Sequence, residues 1–308
     1  MTLAFAGDVH FALRVASRLA TAPDDVLGPI GATLARADLA MVNLETALTT
    51  RGTPEPKQFH FRAPAAALRA LRAEGIDVVT LANNHAVDYG PVGLADTLAA
   101  VGSRVLPVIG IGADAGTAYA PYLTTVRGTR VAILAASQIH DRTAAAWSAG
   151  ATSPGIATAF DLERLAAAVR AARALADVVV VYVHWGTEGN ACPNAEQRTL
   201  ARRLAEAGAA AVVGTHAHLL LGAGWAGGTY VAYGLGNFLW WLDNAYSNDT
   251  GVITLHVRAR QVTSATFTPA RIDPAGVPRP VAGVQAARIQ TELVEAGRCT
   301  GLSAAPGG

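Results

Sequence analysis

VVGTHAHLLL, residues 212–221, joins a predicted strand to two closely spaced histidines. The apolar run over residues 209–213 is typical of a buried strand, and Gly214 ends it. His216 and His218 follow two residues apart, so both imidazole rings point to the same side of an extended segment. Because neutral imidazole is the commonest protein metal ligand, the pair indicates a metal or catalytic site at the end of this strand.

Four other predicted strands end in similar polar clusters. These strands cover residues 2–6, 39–42, 76–81 and 177–183, and helices are predicted over residues 26–36, 64–74, 91–100, 161–174 and 195–207. Such alternation predicts parallel strands, and in sheets of this kind ligands bind beyond the carboxyl ends of the strands. The polar residues found there are Asp8 and His10, Asn43 and Glu45, Asn84, His85 and Asp88, and His184 and Glu188, with Asn237 after a later strand.

The last third of the chain predicts a more antiparallel β region. Its strands are expected over residues 229–233, 252–257 and 264–269. A hairpin is predicted earlier, from strands 124–126 and 130–136. Residues 46–62 are polar and contain prolines, so we expect a loop that lies over the strand ends.

The composition is that of a folded protein, since hydrophobic residues make up 51% of the 308 residues and charged residues 15%. We expect one domain over residues 1–272. Residues 273–308 are predicted to form a C-terminal helix and tail that pack on this domain, with fraying over residues 303–308. The net charge is +1 and no basic block occurs, which argues against nucleic acid or an anionic membrane as a partner.

The sequence shows no signal peptide and no run of about 18 apolar residues, so no membrane segment is predicted. We expect a cytoplasmic protein, or an exported one if a leader precedes this sequence. The two cysteines, Cys192 and Cys299, are either free thiols or a single disulfide. The disulfide is expected if the protein meets an oxidising compartment.

Five polar clusters at five strand ends indicate a shared ligand. Burying each cluster costs free energy unless something compensates for the lost hydration. Asp, Glu, Asn and His are also the side chains that hold divalent ions such as Zn²⁺, Mn²⁺ or Fe²⁺. The sequence therefore predicts one or two divalent ions at this edge of the sheet, and a metal-free acid–base site is the alternative.

Six motifs occur in order along the chain. They are GDVH (residues 7–10), NLE (43–45), ANNHAVDYG (82–90), HWGTE (184–188), GTHAH (214–218) and YGLGNF (233–238). From Phe5 to about Trp240, the chain resembles the CapA-type poly-γ-glutamate capsule synthesis protein family, a branch of the calcineurin-like metallophosphoesterase superfamily. The resemblance implies an α/β fold, namely a four-layer αββα sandwich of two mixed sheets with the site along one edge.

The resemblance also implies a role for each matching residue. The implied metal ligands are Asp8, His10, Asn84, His184, His216 and His218, with Glu45 in the place of the usual bridging aspartate. His85 matches the histidine that protonates a leaving group, and Asp88 is expected to orient it. Asp8, Glu45 and His216 are catalytic candidates as well.

The expected substrate follows from a departure and from nearby side chains. Where phosphoesterases have a Gly-Asp bridging pair, this chain has NLE, residues 43–45, with a longer carboxylate. Indole rings surround the same loops, which favours an amide or peptide over a highly charged phosphate. The candidates for substrate contact are Arg62, which could pair with a carboxylate, and Trp185, Glu188, Asn237 and Trp240.

Three functions are consistent with these residues. The leading hypothesis is a metal-dependent hydrolase or transferase that acts on a peptide-like or γ-glutamyl amide, with His85 as general acid. The second is a metal-independent peptide epimerase, in which groups on opposite sides of the substrate exchange an α-proton. The pairs considered for that reaction are Asp8 or Glu45 with His216 or His218. The third is a non-catalytic binding subunit in capsule or peptide export.

Overall fold

Two β-sheets face each other in the computed structural model, which describes residues 1–307. The strands are β1 (Thr2–Val9), β2 (Leu39–Leu44), β3 (Ala47–Leu48), β4 (Arg62–Ala63), β5 (Val78–Thr80), β6 (Val108–Ile109), β7 (Ile111–Gly112), β8 (Tyr122–Val126), β9 (Thr129–Ser137), β10 (Gly155–Ile156), β11 (Val178–Trp185), β12 (Ala211–His216), β13 (Leu220–Ala226), β14 (Thr229–Leu235), β15 (Asn237–Leu239), β16 (Asp249–Arg258), β17 (Gln261–Ile272) and β18 (Pro278–Pro280). The α-helices are α1 (Arg18–Thr21), α2 (Gly31–Ala35), α3 (Ala66–Ala73), α4 (Gly90–Gly102), α5 (Ala115–Ala118), α6 (Arg142–Trp147), α7 (Leu162–Leu175), α8 (Ala195–Glu206) and α9 (Gly283–Gly297). Within residues 1–307, none of these helices combines the length and the apolar character that spanning a bilayer requires.

In the 8-stranded sheet, parallel strands run from the centre to one edge and antiparallel strands lie at the other edge. In the 6-stranded sheet, parallel strands lie at the centre and an antiparallel strand lies at each edge. The 8-stranded sheet has the order β18-β17-β16-β1-β2-β5-β6, with β15 also paired to β1, and its strands β1, β2, β5 and β6 are parallel. The 6-stranded sheet has the order β13-β14-β12-β11-β9-β8, with β9, β11, β12 and β14 parallel. The predicted parallel region is therefore confirmed, as are the antiparallel strands β16 and β17.

Alternating side chains of the central strands build the layers. In β11, Tyr182 packs between the two sheets, whereas Val181 and Val183 face α7 and α8 on the outside. This alternation follows from the period of two residues in a strand. A third apolar cluster joins the first sheet to α2, α3 and α4. Three cores thus separate four layers, which confirms the αββα sandwich of two mixed sheets.

Strands β1 and β2 run further than their apolar residues predict. Asp8 of β1 lies opposite Asn43 of β2 in the register, and Asn237 of β15 lies opposite Asp8 on the other side. Asp8 and Asn43 are therefore the penultimate residues of their strands and Asn237 is the first residue of β15, so the sheet fixes their positions.

Two elements differ from the prediction in their extent. The helix predicted over residues 26–36 covers only Gly31–Ala35, because a 3₁₀ turn precedes it in which Gly28 has a φ of 66°. The predicted loop over residues 46–62 contains β3, which pairs with β4 at the loop's end. Its remaining residues cross the carboxyl ends of the strands and carry Lys57 and Phe61 to the site.

The chain beyond residue 272 is held to the sandwich. Strand β18 pairs with β17, and α9 packs against β13. A disulfide joins Cys192 to Cys299, with a Cα–Cα distance of 5.8 Å. Ser303 exchanges two backbone hydrogen bonds with Trp225, so the predicted fraying does not occur there. Gly308, the last residue of the segment expected to fray, lies outside the described residues.

Candidate active site

The carboxyl ends of β1, β2, β11 and β12 meet at one edge of the sandwich, and the segment after β5 joins them there. The structure brings together most of the predicted site residues: Asp8, Glu45, Asn84, His85, Asp88, His184, His216 and His218. All of these side chains are buried except that of His218, which is about one fifth exposed. We call Asp8, Asn43, Glu45, His184 and His216 the polar floor.

Asn43 connects a carboxylate and an imidazole at the centre of the polar floor. Its amide nitrogen donates to Asp8 Oδ1 at 2.7 Å and lies 3.2 Å from His184 Nδ1. Its amide oxygen accepts from the Asn83 side chain at 2.9 Å. The sequence prediction placed Asn43 among the polar residues at the strand ends, but it gave neither Asn43 nor Asn83 a role in the site, although both lie inside the motifs. Their role depends on the strand register, which the motifs alone do not reveal.

Glu45 is a buried carboxylate without a hydrogen-bond partner. Within the described residues neither carboxylate oxygen accepts a hydrogen bond, and the side chain is fully buried. Its Oε1 lies 3.5 Å from His184 Nε2 and 3.8 Å from His85 Nε2. Burial, and then the charge of Asp8, raise the pKa of Glu45 well above its usual range. An unpaired buried carboxylate is costly, so this position calls for a cationic ligand.

The donor atoms around Glu45 fit a divalent ion. Two sets of three residues, Glu45–His184–His216 and Asp8–Glu45–His218, each place their ligand atoms within 4.8 Å of one another. Glu45 is common to these two sets, and a third set consists of Glu188, His216 and His218. Carboxylate oxygens and imidazole nitrogens are ligands that suit Zn²⁺, Mn²⁺ and Fe²⁺.

The segment that carries the two histidines has an unusual backbone. His216 and His218 have φ angles of 91° and 58°, in the left-handed region that costs a non-glycine residue of order 1 kcal/mol or more. Asp8 offsets this cost, since its Oδ2 accepts from the His216 N–H at 3.2 Å and lies 3.5 Å from His218 Nδ1. The ring centroids of the two histidines are 5.7 Å apart.

The histidines of the site differ in charge. Burial lowers the pKa of His184 to about 4 and holds the pKa of His216 well below its usual range. Burial acts on His218 too, but the hydrogen bond to Asp8 and the charges of Glu45 and Asp8 outweigh it and raise the pKa of His218 to about 9. At neutral pH, His184 and His216 are therefore neutral imidazoles, the form that binds metal.

His85 is held by a carboxylate that also binds a lysine. His85 Nδ1 lies 2.6 Å from Asp88 Oδ2, and the Lys57 ammonium donates to Asp88 Oδ1 at 2.8 Å. Lys57 also donates to the carbonyl oxygen of Asn84 at 2.6 Å. The sequence prediction did not include Lys57 in the site. The available signal was that it is the only lysine of the chain and lies in the loop predicted to cover the strand ends.

A cavity of about 380 Å³ opens beside the polar floor. Its aromatic walls are Phe59, Phe61, Trp240, Trp241 and Tyr246, and its lining also includes His85, Glu188, His218 and Asn237. Four of the predicted site residues therefore face one cavity together with Trp240. Glu188 Oε1 lies 4.0 Å from His218 Nε2, at the opening.

Two of the predicted substrate-binding residues, Trp185 and Arg62, lie outside the lining of this cavity. Trp185 has no exposed surface, and its indole nitrogen donates to the Tyr233 carbonyl at 2.8 Å. It follows His184 in β11, and the alternation of the strand turns it towards the helices. Arg62 is exposed and stacks its guanidinium 4.6 Å from the centre of the Tyr89 ring.

His10 is close to the site but outside the sets of donor atoms. Its Nδ1 lies 3.1 Å from the Ala12 N–H, and its Nε2 lies 3.2 Å from the Trp241 N–H. Its ring stacks on Phe61 with a centroid distance of 4.4 Å. Each ring nitrogen therefore lies near a backbone N–H, of which a neutral imidazole can accept only one. The His10 ring also packs against the aromatic walls.

Comparison with known proteins identifies the family. The model for the bacterial capsule synthesis protein PGA_cap matches residues 2–240. The chain belongs to this family. It is 31% identical over 226 residues to the PGA biosynthesis protein CapA of Bacillus subtilis, which covers 73% of this chain and 58% of that protein. It is 30% identical over 225 residues to the capsule biosynthesis protein CapA of Bacillus anthracis, covering 73% and 54%. This PGA_cap chain thus spans little more than half the length of these curated relatives.

Solved structures share the fold of this PGA_cap chain at low identity. A hypothetical protein from Thermus thermophilus has a TM-score of 0.54 and 20% identity, covering 87% of this chain and 98% of that one. The sulfate thiohydrolase SoxB of the same organism has a TM-score of 0.51 and 16% identity, covering 96% and 60%. These likenesses agree with the αββα sandwich of two mixed sheets and concern the fold alone.

Proposed function

We propose that this PGA_cap chain is a metal-dependent hydrolase or transferase that acts on a peptide-like or γ-glutamyl amide. The observation that carries the proposal is Glu45, a fully buried carboxylate that has no hydrogen-bond partner among the described residues and belongs to two sets of metal-donor atoms. The curated relatives are named for the biosynthesis of PGA or of a capsule, which agrees with an amide-linked substrate.

The residues that would hold the ion or ions are those of the two donor sets: Asp8, Glu45, His184, His216 and His218. A divalent ion in this place supplies Lewis acidity to an amide carbonyl and makes water a nucleophile near neutral pH. Asn84 and Asn43 contribute by fixing the His184 ring, because Asn84 Oδ1 lies 2.8 Å from Nε2 and the Asn43 amide lies 3.2 Å from Nδ1.

His85 is proposed to move the proton that the leaving nitrogen requires. Its Nδ1 proton is directed to Asp88 Oδ2 at 2.6 Å, and its Nε2 lies 3.8 Å from Glu45 Oε1. The His85 side chain also lines the cavity. Burial lowers the pKa of His85 to about 4, so at neutral pH Nε2 can take a proton from the attacking water. The same atom then returns that proton to the departing amine, and an amide thereby becomes an acid and an amine.

The metal-independent epimerase is the second candidate. It is favoured by two titratable side chains, His85 and His218, that line one cavity and could reach the same substrate. Of the groups first considered for this reaction, Asp8, Glu45 and His216 belong to the polar floor, and His218 lines the cavity. Retained activity after complete chelation would support this candidate.

Metal content and metal-dependent stability test the leading proposal. We expect the purified protein to contain a divalent ion by elemental analysis, and Zn²⁺ or Mn²⁺ to raise the melting temperature of the chelator-treated protein. His216→Ala should abolish this stabilisation, whereas His140→Ala, at an exposed histidine outside the site, should retain it. A protein that is fully active on an amide substrate after exhaustive chelation would contradict the proposal.

A further inference from the structure

The aromatic walls form one continuous apolar surface. The Phe61 ring centroid lies 6.2 Å from that of Trp240 and 6.0 Å from that of Trp241, and Phe59 lies 5.7 Å from Trp241. Tyr246 completes the walls from the other side, where its hydroxyl donates to a backbone carbonyl of the loop after β11 at 2.7 Å. Rings at such separations attract one another and leave faces and edges to which another ring can pack.

The mouth of the cavity exposes apolar side chains to water. Phe59 is 46% exposed, Leu242 is 40% exposed and Tyr246 is 61% exposed. All three belong to the lining of the same cavity. Exposed apolar side chains that are grouped around a cavity mark a surface where an apolar ligand binds.

Lysine and arginine are absent from the described lining of the cavity. The nearby cations are engaged elsewhere. Lys57 donates to Asp88, and Arg14 donates to backbone carbonyl oxygens, including those of residues 240 and 242. Arg62 stacks on a tyrosine outside the cavity. The walls therefore offer no free ammonium or guanidinium group to a carboxylate.

The charges that do face the cavity are already balanced. Glu188 adds a negative charge at the opening. The His218 ring already faces two of the protein's own carboxylates, since Nδ1 lies 3.5 Å from Asp8 Oδ2 and Nε2 lies 4.0 Å from Glu188 Oε1. A substrate with a carboxylate on every residue would be desolvated against these walls with nothing to compensate for it.

We propose that the cavity takes a peptide segment with an aromatic side chain beside the reacting amide, in preference to a poly-glutamate chain. This inference rests on the proposed function, because it names the substrate class of the same site. A volume of about 380 Å³ lies at the small end of the range for small-molecule sites, and suits one large side chain with its flanking peptide groups. Asn237 Oδ1 is buried without a partner among the described residues and is available to a substrate N–H.

Calorimetric titration with short blocked peptides tests this inference. The probes are N-acetyl-Gly-Xaa-Gly amides, with Trp, Phe, Ala or Glu as the central residue, and γ-linked pentaglutamate. We expect the Trp and Phe peptides to bind at least tenfold more tightly than the Ala peptide, and the Glu peptide and pentaglutamate at least tenfold more weakly than the Trp peptide. Titrations of chelator-treated and Zn²⁺-loaded protein should give the same order.

Two wall variants and a matched control complete the test. Phe59→Ala and Trp241→Ala should each lower the affinity for the Trp peptide at least fivefold. Phe160→Ala, at a phenylalanine that is 37% exposed and stacks on His140 outside the cavity, should leave it unchanged. Pentaglutamate binding as tightly as the Trp peptide, binding by none of the peptides, or wall variants with unchanged affinity would each overturn the inference.

The peptide-binding test and the test of the proposed hydrolase can fail independently of each other. If the Trp peptide binds but no amide is cleaved, the proposed hydrolase fails while the substrate class stands. If pentaglutamate is bound more tightly and cleaved, the hydrolase stands while the substrate class fails.

Discussion

The polar floor and the aromatic walls of the site are built in different ways. The polar floor consists of residues at or next to the ends of strands, where sheet register fixes each backbone, and all of its side chains are buried. The aromatic walls come from the loop over residues 46–62 and from residues 240–246, and Phe59 and Tyr246 reach into solvent. Under the proposed function, metal binding and proton transfer would therefore lie on the rigid strand ends, and substrate selection on loops that can change without disturbing them.

Asp88 is the place where the two regions meet. One of its oxygens accepts from the Phe61 N–H at 2.7 Å and lies 2.6 Å from His85 Nδ1, while the other accepts from Lys57. A single buried carboxylate thus positions an aromatic wall and the proposed proton donor together. The comparison predicts that changes in one region leave the other intact, except at this junction.

Replacing Glu45 should have the largest effect, and the effect should be confined to the polar floor. Glu45→Gln keeps the size of the side chain but removes the carboxylate shared by both donor sets. We expect metal affinity to fall by at least about 100-fold and amide cleavage by at least about 1000-fold. Affinity for a wall-binding peptide should remain. Metal titration and turnover measure the first two, and calorimetry measures the third.

Glu74→Gln is the matched control for that substitution. Glu74 is a buried carboxylate remote from the strand ends, and its Oε1 accepts from the Leu27 N–H at 3.1 Å. It should retain metal binding and turnover. A Glu45→Gln protein with normal metal content and activity would show that the orphaned carboxylate is not a ligand.

Acid should destabilise the folded protein through two buried histidines of the site, His184 in the polar floor and His85 beside it, and not through the aromatic walls. The pKa of His85 and that of His184 are about 4 in the folded protein, below the ordinary value of 6.5. The unfolded chain therefore binds more protons between these values, so stability falls as the pH decreases from about 6.5 to 4, by about 3 kcal/mol for each histidine. His218, with a pKa of about 9, has the opposite sign, and its contribution is lost as the pH rises through 9. Glu45, whose pKa is raised by burial, also has the opposite sign and offsets part of the acid effect.

Urea unfolding of the chelator-treated protein at several values between pH 7 and 4.5 measures this dependence. Phe59→Ala should show the same slope as the wild type, because no titrating group is removed. A free energy of unfolding that stays constant from pH 7 to 4.5 would contradict the assignment of neutral, buried histidines.

The disulfide provides the next test, because it anchors a loop that lines the cavity. Cys192 lies in the segment between β11 and α8 that also carries Glu188, and its partner Cys299 follows α9. Replacing both cysteines by alanine should lower the free energy of unfolding by about 2–5 kcal/mol, since the sequence separation is 107 residues. Metal affinity should not change. Loss of metal binding in this variant would mean that the loops hold the polar floor in place.

The layers of the fold could be predicted from sequence because they depend on local periodicity. The eight residues of β11 are buried on both faces, and alternation alone sorts them between two cores. The same rule separates His184 from Trp185, although the sequence prediction placed both at the site. The extent of β1 was missed, because it depends on pairing with β2 and β15, which are distant in sequence.

Sheet geometry also explains why only part of the site could be predicted from sequence. Residues in strand-end motifs, such as Asp8 and His216, were assembled as expected, because the sheets fix where strands end. The positions of loop residues could not be predicted in this way. Lys57 contacts Asp88, and Arg62 stacks on Tyr89, and the local sequence encodes neither contact. Their positions depend on how the loop over residues 46–62 closes on the sheet edge.

Replacing Lys57 should have the smallest of these effects, and it should affect both His85, beside the polar floor, and Phe61, in the aromatic walls. Lys57→Met keeps the aliphatic stem but removes the ammonium that donates to Asp88 Oδ1 and to the Asn84 carbonyl oxygen. Asp88 retains its contacts with Phe61 and His85, so the protein should fold. We expect kcat to fall about tenfold, because His85 loses part of its orientation, and KM for a Trp peptide to rise a few-fold, because the wall at Phe61 is less firmly held.

Lys57→Arg, which keeps the charge, should recover most of kcat, and metal content should stay at the wild-type level in both variants. A loss of metal in Lys57→Met would place this lysine in support of the polar floor alone, whereas unchanged kcat and KM would show that the junction at Asp88 does not couple the two regions.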